Sequence, residues 1–388
     1  MSSREIPGLV PRLKPLGTTV FAQYSAIATE TGAINLGQGF PDVDGPSWIA
    51  DAVTRAIAEG RGNQYPAGVG VLELRKAVVG HQKRWYGVDN DFATEVLITA
   101  GATEAITAAL IGLVDTDDEV IVFEPFYDSY RAAVVMARGK LVAITMEAPE
   151  YKLDIDAVRK AITPRTKVIV VNTPHNPSGA VTSREELQAL ADVAIEHNLV
   201  VISDEVYEHM AFEGEHVLIS TLPGMRERTL TISSAGKLFS YTGWKIGWIT
   251  GPKPLVDAAK TVKQFLTFVV GGPFQYALAE ALDNGDQWLR DLRESLTHSR
   301  DYFTSGLKSL GFEVHPPKGT YFATVDVRSK GFATADEFCQ TIPKSIGVVA
   351  IPSHVFYEHP ERGAAYARFA FCKKNAVLDT ALERLAKL

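Results

Sequence analysis

Six residues decide the fold of this chain, Lys167-Val168-Ile169-Val170-Val171-Asn172. Four of them are β-branched, apolar and consecutive, so neither face of the strand that they predict suits contact with water. Strands covered on both faces are typical of parallel sheets, which have helices on each side. The stretch therefore predicts an α/β architecture with a sheet buried between two helical layers.

Comparable apolar runs recur from about residue 95 onward, and helical stretches alternate with them. This alternation is typical of parallel βαβ units. The predicted helices include Thr103–Val114 and Ser183–His197, and the second begins with the capping-box pair Ser183 and Glu186. The predicted strands are Val96–Thr99, Glu119–Phe123, Leu141–Ile144, Lys167–Asn172, Val200–Ser203, Thr229–Ser233 and Ile246–Thr250.

After Pro252 the pattern becomes helical. We expect helices over Pro254–Phe268 and Pro273–Leu310, with a bend in the second at Asp283–Gly285. Beyond Gly311, two helices and three short strands predict a smaller α+β unit that packs on the larger one and leaves a ligand cleft between them. These strands are predicted at Thr320–Val327, Val348–Ile351 and Ala367–Phe371.

The composition limits the classes of function. A chain of 388 residues predicts two or three lobes, and 46% hydrophobic and 22% charged residues are usual for a globular protein. A formal net charge of -7 without a basic run argues against a nucleic-acid partner. Met1–Val10 lacks the apolar run of a signal peptide or membrane anchor, and only two cysteines occur, Cys339 and Cys372, so we expect a cytoplasmic protein with structural thiols.

A lysine follows the strand predicted at Thr229–Ser233, in the small-residue stretch Ser234-Ala235-Gly236-Lys237. Burial there would lower the pKa of the amine, and a neutral amine can attack a carbonyl to form a Schiff base. Ser234 and Lys245 could supply a hydroxyl and a positive charge to a phosphate group on the carbonyl compound. The alternative is a surface lysine in a glycine-rich turn.

Two further strand ends carry polar side chains. Asn176 lies in the proline-rich loop Asn172–Gly179, from which its amide could bond a phenolic oxygen of a cofactor. Asp204 follows the strand at Val200–Ser203 and faces the crevice of an open α/β sheet, where it needs a cationic partner such as a protonated pyridine nitrogen. A helix N-cap and a packed aromatic are the alternatives for Asp204 and Tyr207.

Two segments outside these loops could bind anions. Gly101-Ala102-Thr103 opens a predicted helix, whose free amides suit a phosphate. Arg368 lies in the strand Ala367–Phe371, and a guanidinium pairs bidentately with the α-carboxylate that every amino acid has. A salt bridge at the rim of the protein is the alternative for Arg368.

Other chemistries lack support in the sequence. Gly68-Val69-Gly70 has no third glycine and follows no predicted strand, so a dinucleotide fold is not expected. There is no Walker loop, and the nine histidines show no metal-ligand spacing. No metal is therefore predicted.

The residues quoted above resemble those of the class I aminotransferases of fold type I, particularly the kynurenine aminotransferase (glutamine transaminase K) group. The chain also looks similar to actinobacterial N-succinyl-diaminopimelate aminotransferases. The likeness runs from about Thr18 to the end of the chain and is specific because its motifs occur in the family's order. The matching stretches are Asn35–Asp42, Asn63–Tyr65, Asn172–Gly179, Ser203–Tyr207, Ser233–Trp248 and Arg368–Phe369.

The resemblance implies the fold of PLP-dependent transferases of fold type I. This is an α/β fold whose large domain has a mainly parallel seven-stranded sheet between helices, beside a smaller α+β domain. The implied division is an N-terminal segment at 1–45, a large domain at 46–285 and a small domain at 286–388. The implied cofactor is pyridoxal 5'-phosphate, and the implied assembly is a homodimer with shared active sites.

Carried over position by position, the resemblance makes Lys237 the Schiff-base lysine and the acid and base for the substrate Cα proton. Asp204 would pair with the pyridine nitrogen, and Asn176 and Tyr207 would bond the ring hydroxyl. Tyr127 would stack on the ring. The implied phosphate ligands are Gly101, Ala102, Thr103, Ser234, Lys245 and Tyr65 of the partner subunit.

The resemblance also implies how a substrate is held. Arg368 would bind the α-carboxylate with the help of Asn176 and the backbone of Gly39. Phe21 and the partner subunit's Phe268 would surround the substrate side chain.

This chain departs from the family pattern at two places. Lys245 replaces the arginine of many members, so a point charge stands where a planar fork would bind phosphate, although the kynurenine group also has lysine. The stretch around Gly271-Gly272 is longer than in the kynurenine enzymes, which makes the match of Phe268 less direct.

The function that we expect is transfer of an amino group between an L-amino acid and a 2-oxo acid, with glutamate and 2-oxoglutarate as one pair. The expected substrate is N-succinyl-L,L-diaminopimelate, in lysine biosynthesis, and Lys263 is the candidate cation for its extra carboxylates. Kynurenine, glutamine or methionine would instead suit an apolar pocket near Phe21. A cysteine-S-conjugate β-lyase or a cyclopropane-forming synthase would use the same carbanion. A non-catalytic regulator would need a basic N-terminal extension that this sequence does not show.

Overall fold

The computed structural model describes residues 8–17 and 19–388. Residues 1–7, which belong to the predicted N-terminal segment, and Thr18, where the family resemblance begins, lie outside the described residues. The strands are, in chain order, β1 (Ile34–Asn35), β2 (Val96–Thr99), β3 (Glu119–Glu124), β4 (Lys140–Thr145), β5 (Thr166–Asn172), β6 (Val200–Asp204), β7 (Thr229–Ser234), β8 (Gly247–Thr250), β9 (Glu313–His315), β10 (Phe322–Asp326), β11 (Val348–Val349), β12 (Ile351–Pro352) and β13 (Tyr366–Ala370).

Helices precede, separate and follow these strands. The α-helices are α1 (Val20–Thr31), α2 (Ser47–Ala58), α3 (Leu72–Tyr86), α4 (Gly101–Leu113), α5 (Ser129–Met136), α6 (Ile155–Ala161), α7 (Arg184–Glu196), α8 (Ala235–Leu238), α9 (Lys253–Leu266), α10 (Gly272–Asn284), α11 (Asp286–Ser309), α12 (Ala335–Ser345), α13 (Pro360–Gly363) and α14 (Asn375–Leu385). The capping box predicted for α7 is present, because the Ser183 hydroxyl accepts from the Glu186 amide and the Glu186 carboxylate accepts from the Ser183 amide.

The large sheet has seven strands in the order β2-β8-β7-β6-β5-β3-β4. Strands β3, β4, β5, β6 and β7 run parallel to one another, and β8 is antiparallel to both of its neighbours. The mainly parallel seven-stranded sheet is therefore confirmed, and each of the seven strands predicted between Val96 and Thr250 matches an observed one to within one residue at either end.

The run that predicted this sheet is buried on both faces. Val168 and Val170 pack on one side, in a core shared with α4, α5 and α9. Ile169 and Val171 pack on the other, in a core shared with α6 and α7. Successive side chains of a strand point to opposite faces, so a continuous apolar run serves two helical layers at once.

A smaller antiparallel sheet has the order β12-β13-β10-β9, and β1 pairs with β11 in a separate two-stranded ladder. The core beside the four-stranded sheet includes side chains of α11, α12 and α14. The prediction of one strand over Val348–Ile351 is wrong, because the chain leaves one ladder at Val349 and joins the next at Ile351. The helix predicted over Pro273–Leu310 is interrupted at Gly285, within the expected bend.

The fold brings the carboxyl ends of β5, β6 and β7 to one edge of the large sheet. The domain boundaries at residues 45 and 285 stay a prediction. Among residues 8–17 and 19–388, no helix combines the length and apolarity that a membrane crossing requires.

Candidate active site

A cavity of about 290 Å³ opens at the carboxyl edge of the large sheet. Ligands of open α/β sheets bind at this kind of edge, where loops between strands and helices diverge. Thirteen residues predicted for cofactor or substrate binding line this one cavity: Phe21, Gly39, Gly101, Ala102, Thr103, Tyr127, Asn176, Asp204, Tyr207, Ser234, Lys237, Lys245 and Arg368.

Lys237 lies in the short helix that follows β7, at the floor of the cavity. Its Nζ donates to the Tyr321 hydroxyl at 2.8 Å and to the Gly39 carbonyl at 3.2 Å. Burial lowers the pKa of the Lys237 amine to about 8, so a minor neutral fraction of the amine exists near pH 7. The alternative of a lysine in a surface turn is wrong.

Asp204 ends β6 and is 3% exposed. One carboxylate oxygen accepts from the Tyr130 hydroxyl at 2.6 Å, and the other accepts from the Val206 amide at 3.3 Å. Among the described residues no cation lies within ion-pair distance of it. Burial raises the pKa of Asp204 to about 6, which is the behaviour of a carboxylate that needs a cationic ligand. The helix N-cap alternative is wrong, because no helix begins there.

The loop after β5 is tied to Asp204 through Asn172. Its side-chain amide donates to the Asp204 carbonyl at 2.7 Å, and its Oδ1 accepts from the Asn176 amide at 2.8 Å. These two bonds fix the loop that carries Asn176 against the neighbouring strand. The Asn176 side chain in turn accepts from Arg368 Nη1 at 3.0 Å.

The start of α4 is suited to an anion. No side chain caps its first amides, and Lys245 Nζ lies 3.5 Å from Thr103 Oγ1. Gly101 has a φ of +73°, and a Cβ there would lie 3.2 Å from Lys245 Nζ. A Cβ at Gly247 would lie 2.8 Å from the Gly101 carbonyl carbon, so this close approach of backbones requires glycine. Free amides, a hydroxyl and an ammonium thus converge on one point.

Arg368 enters the cavity from β13 and is 1% exposed. Its guanidinium lies 4.0 Å from the Phe322 ring centre and 4.8 Å from the Phe356 ring centre. Nη2 donates to the Gly37 carbonyl at 2.8 Å, whereas Nε has no hydrogen-bond partner in the described part of the chain. Burial lowers the pKa of Arg368 to about 10. The alternative of a rim salt bridge is wrong, because the side chain is buried and pairs with no described carboxylate.

Tyr207 and Tyr127 line the cavity on different sides. The Tyr207 ring packs edge-on against Tyr321 at 5.4 Å, and the Lys237 ammonium lies 5.7 Å from its centre. The Tyr127 ring packs edge-on against Tyr130 at 5.9 Å. Burial raises the pKa of both phenols, so both hydroxyls are protonated at neutral pH.

Three residues singled out from the sequence lie outside this cavity. Tyr65 is 82% exposed and Phe268 is 49% exposed, and their rings contact each other at 5.6 Å. Lys263 is buried, and its Nζ donates to the Gly68 carbonyl at 2.9 Å and to the Phe268 carbonyl at 2.5 Å. The structure does not bring Lys263, the candidate cation for a substrate carboxylate, to this cavity, because its side chain is 1% exposed and bonds main-chain carbonyls elsewhere.

Several contributors to the site were not predicted. Tyr130 bonds Asp204, Tyr321 bonds Lys237, and Phe322 and Phe356 flank Arg368. Tyr130 is close in sequence to Tyr127, three residues further along the chain, in the first turn of α5. The others come from distant parts of the chain, and no local pattern points to them.

Neither of the two cysteines lines the cavity. Cys339 and Cys372 are free and buried, and burial raises the pKa of both thiols, that of Cys372 to about 11. Neither thiol is therefore ionised near neutral pH. This agrees with the expected structural role.

The arrangement offers a specific set of reactive groups. An amine of lowered pKa shares the cavity with a buried carboxylate, a buried guanidinium and the anion-binding start of α4. Such a set can attack a carbonyl, move a proton and bind a carboxylate in the same cavity.

Known proteins are similar to this chain in sequence. Residues 31–385 match the family described as aminotransferase class I and II. A Mycobacterium tuberculosis protein described as "Probable N-succinyldiaminopimelate aminotransferase DapC" is 49% identical, over 98% of each chain. An Escherichia coli methionine aminotransferase is 39% identical over 98% of this chain and 99% of that one.

A solved structure extends the likeness to three dimensions. The N-succinyldiaminopimelate aminotransferase structure from Mycobacterium tuberculosis superposes with a TM-score of 0.96 and 49% identity, covering 98% of this chain and all of that chain. The family match covers most of the chain, and the relatives align almost end to end. This chain belongs to the class I and II aminotransferases.

Proposed function

We propose that this aminotransferase uses pyridoxal 5'-phosphate and moves the amino group between N-succinyl-L,L-diaminopimelate and 2-oxoglutarate. The observation that carries the cofactor assignment is Asp204. Its buried carboxylate has no cation within ion-pair distance among the described residues, and it shares one cavity with Lys237 and the start of α4. A protonated pyridine nitrogen, an aldehyde and a phosphate in one small molecule match these three features.

When bound, the cofactor would supply a reactive aldehyde and a ring that withdraws electrons from the substrate Cα. Asp204 would keep the ring nitrogen protonated through its negative charge. Asn176 and Tyr207 would bond the ring hydroxyl, and Tyr127 would contact the ring face. The phosphate ligands would be Gly101, Ala102, Thr103, Ser234 and Lys245.

Lys237 would be the Schiff-base lysine and would then carry the proton of the substrate Cα. Its pKa of about 8 lets the same amine accept a proton and return it near neutral pH. The Tyr321 hydroxyl, 2.8 Å from Nζ, would hold the free amine in the cavity during that transfer. Arg368 would bind the α-carboxylate through the planar fork of its guanidinium, between Phe322 and Phe356.

The substrate assignment rests on the Mycobacterium tuberculosis relative, which is 49% identical. A second candidate is an amino acid with an apolar side chain, such as methionine, glutamine or kynurenine. Phe21 favours it because its aromatic ring lines the cavity, with the buried Phe356 ring 6.0 Å behind it. The occupied ammonium of Lys263 also removes the one cation that the sequence offered for a distal carboxylate.

An absorbance spectrum of the purified protein, followed during additions of amino acids, tests both levels of the proposal. The panel is N-succinyl-L,L-diaminopimelate, glutamate, methionine, glutamine and kynurenine. A visible cofactor band that bleaches most readily with the succinylated substrate would support the full proposal. Bleaching by methionine or kynurenine alone would favour the second candidate substrate. Release of pyruvate and ammonia from a cysteine S-conjugate would indicate β-lyase activity. Absence of a band would contradict the cofactor assignment.

The proposed assembly is a homodimer with shared active sites. Tyr65 and Phe268 form an exposed aromatic pair, and Phe265, three residues before Phe268 in the chain, is 83% exposed, so these side chains suit burial against a second copy. In the dimer, Tyr65 of the partner subunit would bind the phosphate and Phe268 of the partner subunit would line the substrate site. Mixing an inactive Tyr65→Ala protein with an inactive Lys237→Ala protein should restore activity in hybrid dimers. No recovery, or a monomer by light scattering, would contradict shared sites.

A cytoplasmic location is also proposed. It is supported by two cysteines that are both free and buried, since oxidising compartments favour disulfides. Fractionation of cells that produce the protein would test it.

A further inference from the structure

Three metal-ligating side chains meet outside the candidate active site. His81 lies on α3, and Glu208 and His209 lie in the segment that follows β6. They are 1%, 5% and 9% exposed. His81 and His209 are 128 positions apart in sequence, which is why no ligand spacing could be recognised in the linear chain.

The three side chains point their donor atoms at one another. His81 Nε2 lies 3.0 Å from His209 Nε2, and Glu208 Oε2 lies 3.9 Å and 4.0 Å from these two atoms. A point at the centre of this triangle is about 2.1 Å from all three atoms, which is the usual length of bonds from zinc to imidazole nitrogen and carboxylate oxygen. We propose that His81, Glu208 and His209 bind a divalent transition-metal ion, with Zn²⁺ as the best match to the donor set.

The charges in the cluster agree with a cation. Two imidazole nitrogens at 3.0 Å must either share one proton or both present lone pairs to a common ion. In the second arrangement the common ion is positive, and a negative charge close by favours its binding. Glu208 supplies this charge. Two neutral imidazoles and one carboxylate form a common set of three protein ligands for zinc.

The carboxylate is held in the orientation that such a site requires. The Ser233 hydroxyl donates to Glu208 Oε1 at 2.5 Å, which leaves Oε2 on the side of the two histidines. The Trp85 ring packs edge-on against His209 with 4.6 Å between ring centres. In metal sites, the ligands are generally oriented by contacts with residues that do not themselves bind the metal.

A fourth ligand has room to approach. A separate cavity of about 260 Å³ borders Glu208 and His209, and Tyr86 and His216 are on its wall. A water molecule or a small anion there could complete four-coordinate zinc. The ion would tie α3 to the segment that carries Asp204 and Tyr207, so its expected effect is to stabilise the segment on which the proposed active site depends.

Titration of the intact enzyme with Co²⁺ and Zn²⁺ after chelator treatment tests the proposal. We expect one equivalent of Co²⁺ per chain to bind, with the visible bands of a cobalt site that has nitrogen ligands, and an excess of Zn²⁺ to displace it and raise the Tm. Because this measurement uses the unaltered chain, it does not depend on how any variant folds. The absence of stoichiometric binding would overturn the proposal.

Variants then locate the ion. His209→Gln and Glu208→Gln should each lose the bound equivalent, and Ser233→Ala should bind about 10- to 100-fold more weakly because it removes an orienting bond. His298→Gln is the matched control, since His298 is an exposed histidine away from the cluster. Full cobalt binding by His209→Gln, with its cofactor band intact as a sign of folding, would place the ion elsewhere and contradict the assignment.

Discussion

The segment from Asp204 to His209 serves two groups of buried polar side chains, and their charges are balanced differently. On one side, Asp204 faces the active-site cavity without an ion-pair partner among the described residues. On the other, Glu205 accepts from the Ser203 hydroxyl at 2.5 Å and lies 2.7 Å from His216 Nε2. Burial disfavours a charge on His216, but the Glu205 carboxylate outweighs it and raises the pKa of the imidazole.

This difference separates binding from folding. A buried charge that the chain does not pair costs stability until a ligand compensates it, so it indicates a site. A buried charge that the chain does pair supports the fold, and removal of one partner leaves the other uncompensated. Variants on the cavity side should therefore affect chemistry more than stability, and variants on the other side should do the reverse.

The largest effect on the cavity side is expected for Lys237→Ala. Loss of the amine removes both the Schiff base and the proton carrier, and kcat/KM should fall by at least about 10²- to 10⁴-fold. Stopped-flow and steady-state assays with the preferred amino acid measure the loss, and chemical denaturation should show unchanged stability. Lys83→Ala, at an exposed lysine that pairs with Asp89, is the control and should behave as wild type. Retained turnover in Lys237→Ala would remove the central residue of the mechanism.

Glu205→Ala should give the opposite pattern. It leaves His216 buried without its carboxylate, and because the imidazole can then lose its proton, the free energy of unfolding should drop by about 1–3 kcal/mol, the cost of a buried polar group left without its partner. Urea unfolding monitored by fluorescence measures this change, while the cofactor spectrum of the folded fraction should stay that of wild type. Arg55→Ala removes the exposed pair with Glu280 and should cost only about 0–1 kcal/mol. Equal losses for the two variants would mean that the Glu205 pair has no special weight.

Arg368→Lys tests the uncompensated cation on the cavity side. A lysine cannot reproduce the planar fork between Phe322 and Phe356, and the loss of a charge-assisted bond to the α-carboxylate corresponds to about 1.5–3 kcal/mol. We expect kcat/KM to fall about 10- to 150-fold for every amino acid substrate, with an unchanged cofactor spectrum. A loss confined to one substrate would indicate that Arg368 reads a side chain and not the common carboxylate.

The sequence predicted the strands of the fold more completely than it predicted the residues that hold the active-site side chains in place. Apolar runs such as Val168–Val171 reflect burial on two faces, so strand positions follow from local composition. Lys237, Asp204 and Arg368 were predicted because charged side chains are uncommon in or directly after buried strands. Tyr321 and Phe356 were missed because they contact Lys237 and Arg368 from positions far away in sequence, and such contacts leave no local signature. The same reason hid the pairing of His81 with His209.

Asp204→Asn should separate the two roles most clearly, because it should raise the stability of the apoprotein and weaken cofactor binding. The folded-state pKa of Asp204 is raised from 3.8 to about 6, so the folded apoprotein binds a proton more tightly than the unfolded chain does. The contribution of Asp204 to stability should therefore decline as pH rises from about 4 to about 6 and stay level above that, and the cost of the buried charge at pH 7 is about 1–3 kcal/mol. The asparagine variant avoids this cost, so its apoprotein should be more stable than wild type at pH 7 and equal to it near pH 4. Thermal unfolding across this pH range measures the difference, and titration with the cofactor should show weaker binding by the same variant. If the variant were less stable at pH 7, the Asp204 carboxylate would be compensated within the chain, and the contrast with Glu205 would fail.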